Sequence, residues 1–158
     1  MEFKDFGLHE DIQRALVAKR YSEPTPIQAQ AIPVLMKGRD LCGIAQTGTG
    51  KTAAFSLPSL HHLLSNPKPR PPRGCRMLVL SPTRELAAQI AQNCRDYARF
   101  AKLVVSTVFG GVPINKQIRD LAQGVDILVA TPGRLLDLID QRALRLDDVE
   151  IFVLDEAD

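Results

Sequence analysis

The chain has 158 residues, which is enough for one domain with a substantial buried core. Its hydrophobic fraction of 45% and charged fraction of 24% are ordinary for a soluble globular protein. The formal net charge is only +2, because 18 acidic residues nearly cancel 20 basic ones, so any nucleic-acid binding must come from a local surface.

Two helices are expected before the first strand, over residues 10–19 and Pro26–Met36. The second helix has Thr25 as its candidate N-cap and Pro26 at its first position, where the missing proline N–H costs nothing. Gln28 stands three residues after Thr25, so the two side chains are placed to form a capping box. These signals mark where the second helix begins.

Five short runs, β-branched or rich in leucine, are predicted to be strands. They are continuous rather than alternating, which is typical of strands buried on both faces of a parallel sheet. Helices are expected between them, which indicates an α/β fold with helices on both faces of the sheet. The strands cover residues 40–45, 77–81, 103–109, 126–130 and Ile151–Leu154, and the helices 51–64, 84–100, 114–123 and 133–141. Pro58 is expected to end or kink the first of these helices.

The unusual residues of the chain directly follow the predicted strands. Open α/β sheets bind ligands beyond the carboxyl ends of their strands, so these clusters are expected to meet at one edge of the sheet. In chain order they are residues 47–52, 82–85, 110–111, 131–134 and 155–156. A binding site at this edge is therefore predicted.

The first cluster matches a phosphate-binding loop. Residues 45–52 depart from the pattern G-x-x-x-x-G-K-[ST] only at Ala45, and they join a predicted strand to a predicted helix. Gly48 and Gly50 let the backbone approach phosphate oxygens closely. Lys51 is placed to contact the β- and γ-phosphates, and Thr52 to give its hydroxyl to Mg²⁺. A glycine-rich turn before a helix is the alternative for this loop, which also contains Gln46, Thr47 and Thr49.

An acidic pair follows the last predicted strand. We assign Asp155 to water-mediated coordination of Mg²⁺ and Glu156 to positioning the attacking water. The pair is weakly specific by itself, because many strands end in acidic residues. Together with the phosphate loop it indicates an NTPase, with Lys51, Asp155 and Glu156 as candidate catalytic residues.

A basic segment over residues 66–76 contains Lys68, Arg70, Arg73 and Arg76. It leads into a strand, so it is expected at the edge of the sheet opposite the clusters. We interpret it as a solvated loop, and a nucleic-acid contact is the alternative.

Three cysteines, Cys42, Cys75 and Cys94, are odd in number and widely spaced. This argues against a disulfide framework or a zinc site and is typical of a reducing compartment. No apolar stretch reaches the roughly 18 residues of a membrane span, and the N-terminus lacks a signal-peptide pattern. A cytoplasmic protein with no membrane partner is predicted.

Six clusters in this order resemble those of DEAD-box RNA helicases. They are residues 24–28, 45–52, 82–87, 110–111, 131–134 and 155–158, so the resemblance spans the chain. It implies a RecA-like P-loop NTPase domain that uses ATP and Mg²⁺ to drive local unwinding of RNA duplexes. The surrounding residues 28–33 and 128–138 look most like the bacterial RhlE-type branch.

The resemblance assigns Gln28 to reading adenine through two hydrogen bonds of its amide, with helix capping as a competing or simultaneous role. It places Phe3 and Tyr21 beside the base or its pocket, and packing in the core is the alternative for both. Members of the family usually have glycine where this chain has Arg20.

RNA binding is implied for three of the clusters, through the sugar-phosphate backbone rather than the bases. For Arg84 and Arg134 the alternative is an ion pair within the domain, for example with Glu85 or Asp137. The implied RNA-binding residues are Pro82, Thr83, Arg84, Gly110, Gly111, Thr131, Pro132, Gly133 and Arg134.

The resemblance also implies a domain organisation. Residues 1–36 correspond to a Q-motif region with two helices, and residues 37–158 to a RecA-like ATP-binding domain that lacks its Ser-Ala-Thr strand. We expect a fragment of a longer helicase, whose second RecA-like domain is its partner. A P-loop kinase or DNA translocase, and a non-catalytic module that binds ATP and RNA, are the alternatives.

Overall fold

The computed structural model describes residues 1–37 and 51–155. The chain divides into two compact units, Met1–Pro67 with Asn93–Lys102, and Lys68–Gln92 with Leu103–Asp158. The predicted strand over residues 40–45, the phosphate loop up to Gly50, and Glu156 lie outside the described residues.

In the part of the first unit that the structure describes there are a short 3₁₀ helix (Phe3–Phe6) and three α-helices, α1 (Glu10–Ala18), α2 (Pro26–Met36) and α3 (Lys51–Ser65). The two helices predicted before residue 37 are confirmed, α2 with its predicted bounds. Both α1 and α2 pack against α3. The side chains that are completely buried in this unit include Ile12, Ile32, Leu57 and Leu60.

The predicted capping box at the start of α2 is confirmed. The Gln28 backbone N–H donates to Thr25 Oγ1 at 3.4 Å, and the Thr25 backbone N–H donates to Gln28 Oε1 at 2.9 Å. These bonds satisfy two backbone N–H groups that have no partner within the helix, so they stabilise the first turn.

Pro58 does not end α3, which continues to Ser65. The prediction of a helix end was therefore wrong. Proline lacks the N–H that would donate to the carbonyl oxygen of Ala54, so the helix loses one backbone hydrogen bond at this turn. The neighbouring residues Leu57 and Leu60 are completely buried, so tertiary packing outweighs the local cost of the proline.

Among the described residues, the second unit contains a parallel sheet of four strands, β1 (Met77–Leu80), β2 (Val105–Val108), β3 (Ile127–Ala130) and β4 (Ile151–Leu154). Their order in the sheet is β2-β3-β1-β4, which confirms four of the predicted strands and the parallel α/β fold. The helices that follow the strands are α4 (Arg84–Tyr97, whose last turn belongs to the first unit), α5 (Ile114–Leu121) and α6 (Pro132–Asp140).

One face of the sheet packs against α5 and α6. Its core contains strand residues Leu78, Val108 and Leu128, together with Leu121, Leu135 and Leu138 from the helices. The alternate positions on β1 and β3 are also buried, as their continuous apolar sequences predicted.

The prediction that the strands are buried on both faces was wrong for β4. Ile151 and Val153 are half-buried, whereas Phe152 and Leu154 are 58% and 51% exposed. Strand β4 is the last in the strand order, where Phe152 lies beside Leu78 of β1. This position is beyond the area that α5 and α6 cover.

The basic segment before β1 forms structural ion pairs. Arg76 is only 2% exposed, and its Nε and Nη2 donate to Glu150 at 2.6 and 3.2 Å. Arg70 Nε donates to buried Asp126 at 3.1 Å, and Lys68 pairs with Glu150 at 3.4 Å. The segment begins as the expected exposed loop, but its end is part of the core because Arg76 joins β1 to the residue preceding β4.

No helix in the part of the chain that the structure describes has the length and apolar character needed to span a membrane.

Candidate functional site

Polar and glycine-rich residues follow each strand of the second unit at its carboxyl end. Because all four strands are parallel, these ends lie at one edge of the sheet, as predicted. Asp155 follows β4 directly, is 3% exposed, and its backbone N–H donates to the carbonyl oxygen of Leu80 at 2.9 Å. The residue that was assigned to Mg²⁺ is therefore buried beside the end of β1.

Helix α4 begins at this edge with an exposed first turn. The Leu86 backbone N–H donates to Thr83 Oγ1 at 3.2 Å, so Thr83 is the N-cap of the helix. Pro82, Thr83 and Arg84 are all exposed to solvent. The positive end of the helix dipole and an arginine thus face the solvent together.

Helix α6 begins at the same edge. Thr131 is its N-cap in extended conformation, and its hydroxyl makes no capping hydrogen bond. Pro132 and Gly133 form the exposed first turn, and a Cβ added to Gly133 would meet no atom within 4 Å. The backbone N–H groups at this helix start are accessible to an anion.

A Gly-Gly loop lies between these two helix starts. Gly111 has φ of +84°, a left-handed conformation that favours glycine, and both glycines are exposed. A Cβ added to Gly111 would lie 3.7 Å from Arg84 Nη1, so the loop is adjacent to the start of α4. We call residues 82–84, 110–111 and 131–134 the carboxyl-edge surface.

The guanidinium of Arg84 lies over the ring of Phe109, 4.9 Å from its centroid. Arg134 donates through Nη1 to Gln117 Oε1 and through Nη2 to the carbonyl oxygen of Val112, both at 2.8 Å. Gln117 Nε2 in turn donates to the carbonyl oxygen of Phe109 at 3.2 Å. These contacts join the starts of α4 and α6 through the Gly-Gly loop.

Neither arginine makes the alternative ion pair with Glu85 or Asp137 in the residues that the structure describes. Arg134 is instead half-buried against neutral acceptors, whereas the guanidinium of Arg84 remains exposed.

Sequence reasoning missed Phe109, Val112 and Gln117. The signal for Gln117 was present, because it occupies a helical position of α5 between Ile114 and Leu121 on the apolar face. Gln117 is only 7% exposed, and a buried amide requires partners. The chain provides them in Arg134 and Phe109.

In the first unit, Lys51 and Thr52 are the first residues of α3 and are half-buried. This position fits phosphate, because a helix start supplies unpaired N–H groups, and Thr52 carries a hydroxyl suited to Mg²⁺. Residues 45–50 of the loop lie outside the described residues. Among those described, no three His, Cys, Asp or Glu side chains form a metal cluster.

The residues implied for adenine recognition also lie in the first unit. Gln28 is 4% exposed and its amide oxygen takes part in the capping box. Phe3 is 4% exposed, and its ring stacks on Tyr21 with centroids 6.2 Å apart. Tyr21 is 40% exposed, with Lys19 Nζ at 5.5 Å from its ring centroid. Phe3 therefore packs beneath an aromatic ring that is open to solvent.

Arg20 has φ of 63°, where most residues other than glycine are strained. Its N–H donates to the carbonyl oxygen of Val17, and the N–H of Tyr21 donates to that of Leu16. This is a Schellman ending of α1, whose left-handed position glycine usually occupies.

Comparison with known proteins provides the family. The DEAD/DEAH box helicase family matches residues 25–158. The chain is 46% identical over 157 residues to DEAD-box ATP-dependent RNA helicase 20 of Oryza sativa subsp. japonica, covering 99% of this chain and 32% of that protein. It is 47% identical over 155 residues to ATP-dependent RNA helicase ddx46 of Dictyostelium discoideum, covering 96% of this chain and 14% of that protein.

DEAD-box ATP-dependent RNA helicase 20 of Arabidopsis thaliana is 44% identical over 156 residues, covering 99% of this chain and 31% of that protein. The chain thus spans about a third or less of these relatives. All three are eukaryotic proteins, so they do not support the bacterial RhlE-type assignment, which stays a prediction. With its parallel RecA-like α/β fold and a family match over most of its length, the chain belongs to the DEAD/DEAH box helicases.

Proposed function

We propose that the chain is the ATP-binding domain of an ATP-dependent RNA helicase, and that it drives local RNA unwinding together with a second RecA-like domain. The observation that carries the proposal is the carboxyl-edge surface, where two exposed helix starts flank a Gly-Gly loop. The helicase names of the relatives support it.

The carboxyl-edge surface suits the backbone of RNA. Exposed N–H groups at the starts of α4 and α6 can donate to phosphate oxygens, and Arg84 adds an exposed positive charge. The hydroxyls of Thr83 and Thr131 match sugar and phosphate oxygens. Arg134 contributes chiefly by holding the Gly-Gly loop in place, because its guanidinium donates to Gln117 and Val112. Such a surface follows backbone shape and the 2′-hydroxyl rather than base sequence.

ATP binding is proposed for Lys51 and the loop over residues 45–50, which bind the phosphates, and for Gln28, which reads adenine beside Tyr21, with Phe3 supporting that ring. Thr52 and Asp155 are the residues that would hold Mg²⁺, the latter through water, and Glu156 would orient the attacking water. When bound, Mg²⁺ neutralises charge on the phosphates.

We also propose a cytoplasmic location. Cys75 and Cys94 are free and completely buried, and burial raises the pKa of Cys94 to about 11. Buried thiols that stay protonated are unreactive, which fits a reducing compartment.

Multiple-turnover ATP hydrolysis by the full-length protein, measured with RNA, with DNA and with no nucleic acid, tests the proposal. We expect stimulation by RNA alone. Lys51→Ala removes the charge that faces the γ-phosphate and should lower both nucleotide affinity and turnover, whereas Lys102→Ala, at an exposed position, should not.

Other results would identify the alternatives. Hydrolysis that does not respond to RNA contradicts the helicase assignment and favours another P-loop enzyme. Binding of ATP and RNA without turnover by the wild-type protein favours a non-catalytic module.

A further inference from the structure

A cavity of about 550 Å³ lies at the end of the second unit opposite the carboxyl-edge surface. Arg73 precedes β1 and the other residues lie between the end of α6 and β4, so the cavity is beyond the amino ends of these strands. Its volume is within the range of ordinary ligand pockets. It is lined chiefly by Arg73, Ile139, Arg142, Leu144, Arg145 and Leu146.

The rim of the cavity is cationic. Three arginines and one carboxylate, Asp147, line it. Arg145 Nη2 donates to Asp147 at 2.6 Å, and Arg73 Nη1 donates to the carbonyl oxygen of Arg142 at 3.2 Å. Among the residues described, the guanidinium of Arg142 has no hydrogen-bond or ion-pair partner. The cavity therefore has two uncompensated positive charges, those of Arg73 and Arg142.

The backbone at these two arginines is unusual. Arg73 has φ of 56° and Arg142 has φ of 59°, in the left-handed region where glycine is least strained. The only other non-glycine residue with positive φ in the described chain is Arg20. At Arg142 this conformation belongs to a Schellman ending of α6, because its N–H donates to the carbonyl oxygen of Ile139 and the N–H of Ala143 to that of Leu138. What Arg73 and Arg142 share is therefore their charge at one cavity.

The floor of the cavity is aliphatic. Leu144 is 2% exposed and belongs to the core, Ile139 is half-buried, and Leu146 is 37% exposed. No aromatic ring lines the cavity, so an unpaired base would find no platform on which to stack. The cationic rim and the aliphatic floor of the cavity together fit a ligand that carries carboxylates on either side of an aliphatic side chain.

We propose that this cavity binds a short acidic peptide segment of a partner protein. One aliphatic side chain of the peptide packs on Leu144 and Leu146, and flanking carboxylates bind Arg73 and Arg142. The planar guanidinium can accept a carboxylate with two parallel hydrogen bonds, which gives such a contact both strength and direction. The site is separate from the proposed ATP and RNA residues, so its test does not depend on helicase activity.

The test is an NMR titration of the ¹⁵N-labelled chain with an acetylated and amidated peptide in which one leucine is flanked by two acidic residues on each side. We expect saturable shifts of the amide signals around residues 142–147. Arg73→Gln combined with Arg142→Gln should weaken binding by about tenfold or more. Arg119→Gln combined with Lys102→Gln removes the same charge from exposed positions outside the cavity and should leave affinity within about twofold.

Three results would overturn the proposal. The first is no saturable shift with the acidic peptide. The second is that the chain binds a matched peptide, with glutamines in place of the acidic residues, as tightly as the acidic peptide, or that the variant with both Arg73→Gln and Arg142→Gln binds the acidic peptide as tightly as the wild type does. The third is an oligouridylate that produces the same shifts and competes with the peptide, which would assign the cavity to RNA. The dispersion of the same spectra shows whether each variant is folded.

Discussion

Gln117 is a residue whose side chain links two predicted binding segments without belonging to either. It accepts from Arg134 and donates to the carbonyl oxygen of Phe109, so one buried amide fixes the Gly-Gly loop against the start of α6. The exposed atoms that are proposed to contact RNA depend on this buried contact for their positions.

Gln117→Leu keeps the size of the side chain but removes both hydrogen bonds. We expect RNA affinity, measured by fluorescence anisotropy with a labelled oligouridylate, to fall by about fivefold to tenfold, equivalent to about 1–1.4 kcal/mol. Asn115→Leu, at an exposed position of the same helix, is the control and should change affinity little. Equal effects of the two substitutions would show that Gln117 does not position the surface.

Gln28 combines two proposed roles that can be separated by substitution. Gln28→Ala should reduce discrimination of ATP over GTP and also remove the capping box, whereas Thr25→Ala removes the hydroxyl of the cap and keeps the amide. Each change should cost about 0.5–2 kcal/mol of stability. Competition between the two nucleotides at equilibrium is the measurement, and a similar loss of discrimination in both variants would contradict adenine reading by Gln28.

Arg20→Gly should stabilise the protein. Glycine relieves the backbone strain of φ at 63° in the folded state. It also raises the conformational entropy of the unfolded chain, which offsets part of this effect, so the free energy of unfolding should rise by about 0.5–1 kcal/mol. Lys19→Gly, one residue earlier at φ of −84°, should instead lower the free energy of unfolding. Urea denaturation measures both, and a loss of stability in Arg20→Gly would show that its side chain has a stabilising role.

At the scale of secondary-structure elements, helix α3 anchors the segment that precedes α1. The backbone N–H of His9 donates to His61 Nδ1 at 2.9 Å, across more than fifty residues of sequence. Burial, and then the charges of His9 and His62, lower the pKa of His61 from its ordinary value of 6.5. The neutral ring is therefore the form that supports this contact.

The pH dependence of stability follows from that shift. A lowered pKa in the folded state means that the unfolded chain binds the proton more tightly, so the contribution of His61 is fully present above pH 6.5. This contribution is lost as the pH falls from 6.5 through the lower pKa that His61 has in the folded state. His61→Asn keeps an acceptor that does not titrate and should reduce the loss of stability on acidification, as followed by thermal melts.

His62→Asn is the matched control, because His62 is exposed and lies on the same helix, beside Asn66. The charge of His62 is the smallest of the three causes that lower the pKa of His61, so this control should keep most of the pH dependence of the wild type. If both variants respond to pH as the wild type does, the titration of His61 does not contribute to the pH dependence of stability.

At the scale of the whole molecule, the proposed function requires more than this chain. The chain covers 32% of the rice relative. The proposed unwinding by two RecA-like domains would require their closure on ATP, with an arginine supplied across the interface. Arginines of this kind contribute about 10³–10⁵ in rate in related phosphoryl-transfer sites.

We therefore expect residues 1–158 to bind ADP or ATP weakly and to show neither RNA-stimulated hydrolysis nor unwinding. Strand displacement of a fluorescent RNA duplex, with the full-length protein as positive control, is the measurement. ATP-dependent unwinding by the purified chain would contradict a mechanism that requires two domains.

Several features could be predicted because they depend on local chemistry. The start of α2 follows from Thr25, Pro26 and Gln28, whose capping bonds form within one turn. Parallel strands necessarily bring their carboxyl ends to one edge, so placing residues 82–84 and 131–134 together required only the alternation of strands and helices. The helix end expected at Pro58 was wrong, because the buried neighbours of the proline keep α3 continuous to Ser65, and the alternative of a kink stays a prediction.

The sequence by itself determined the family, the parallel α/β class, and the residues that line the carboxyl edge. Tertiary structure alone decided the strand order β2-β3-β1-β4, the bond between Gln117 and Arg134, and the burial of Arg76 against Glu150. It also decided that Arg73 and Arg142 share one cavity. Local propensity and spacing act within a few residues, whereas these pairs are brought together only when the helices pack on the sheet and buried polar groups find partners.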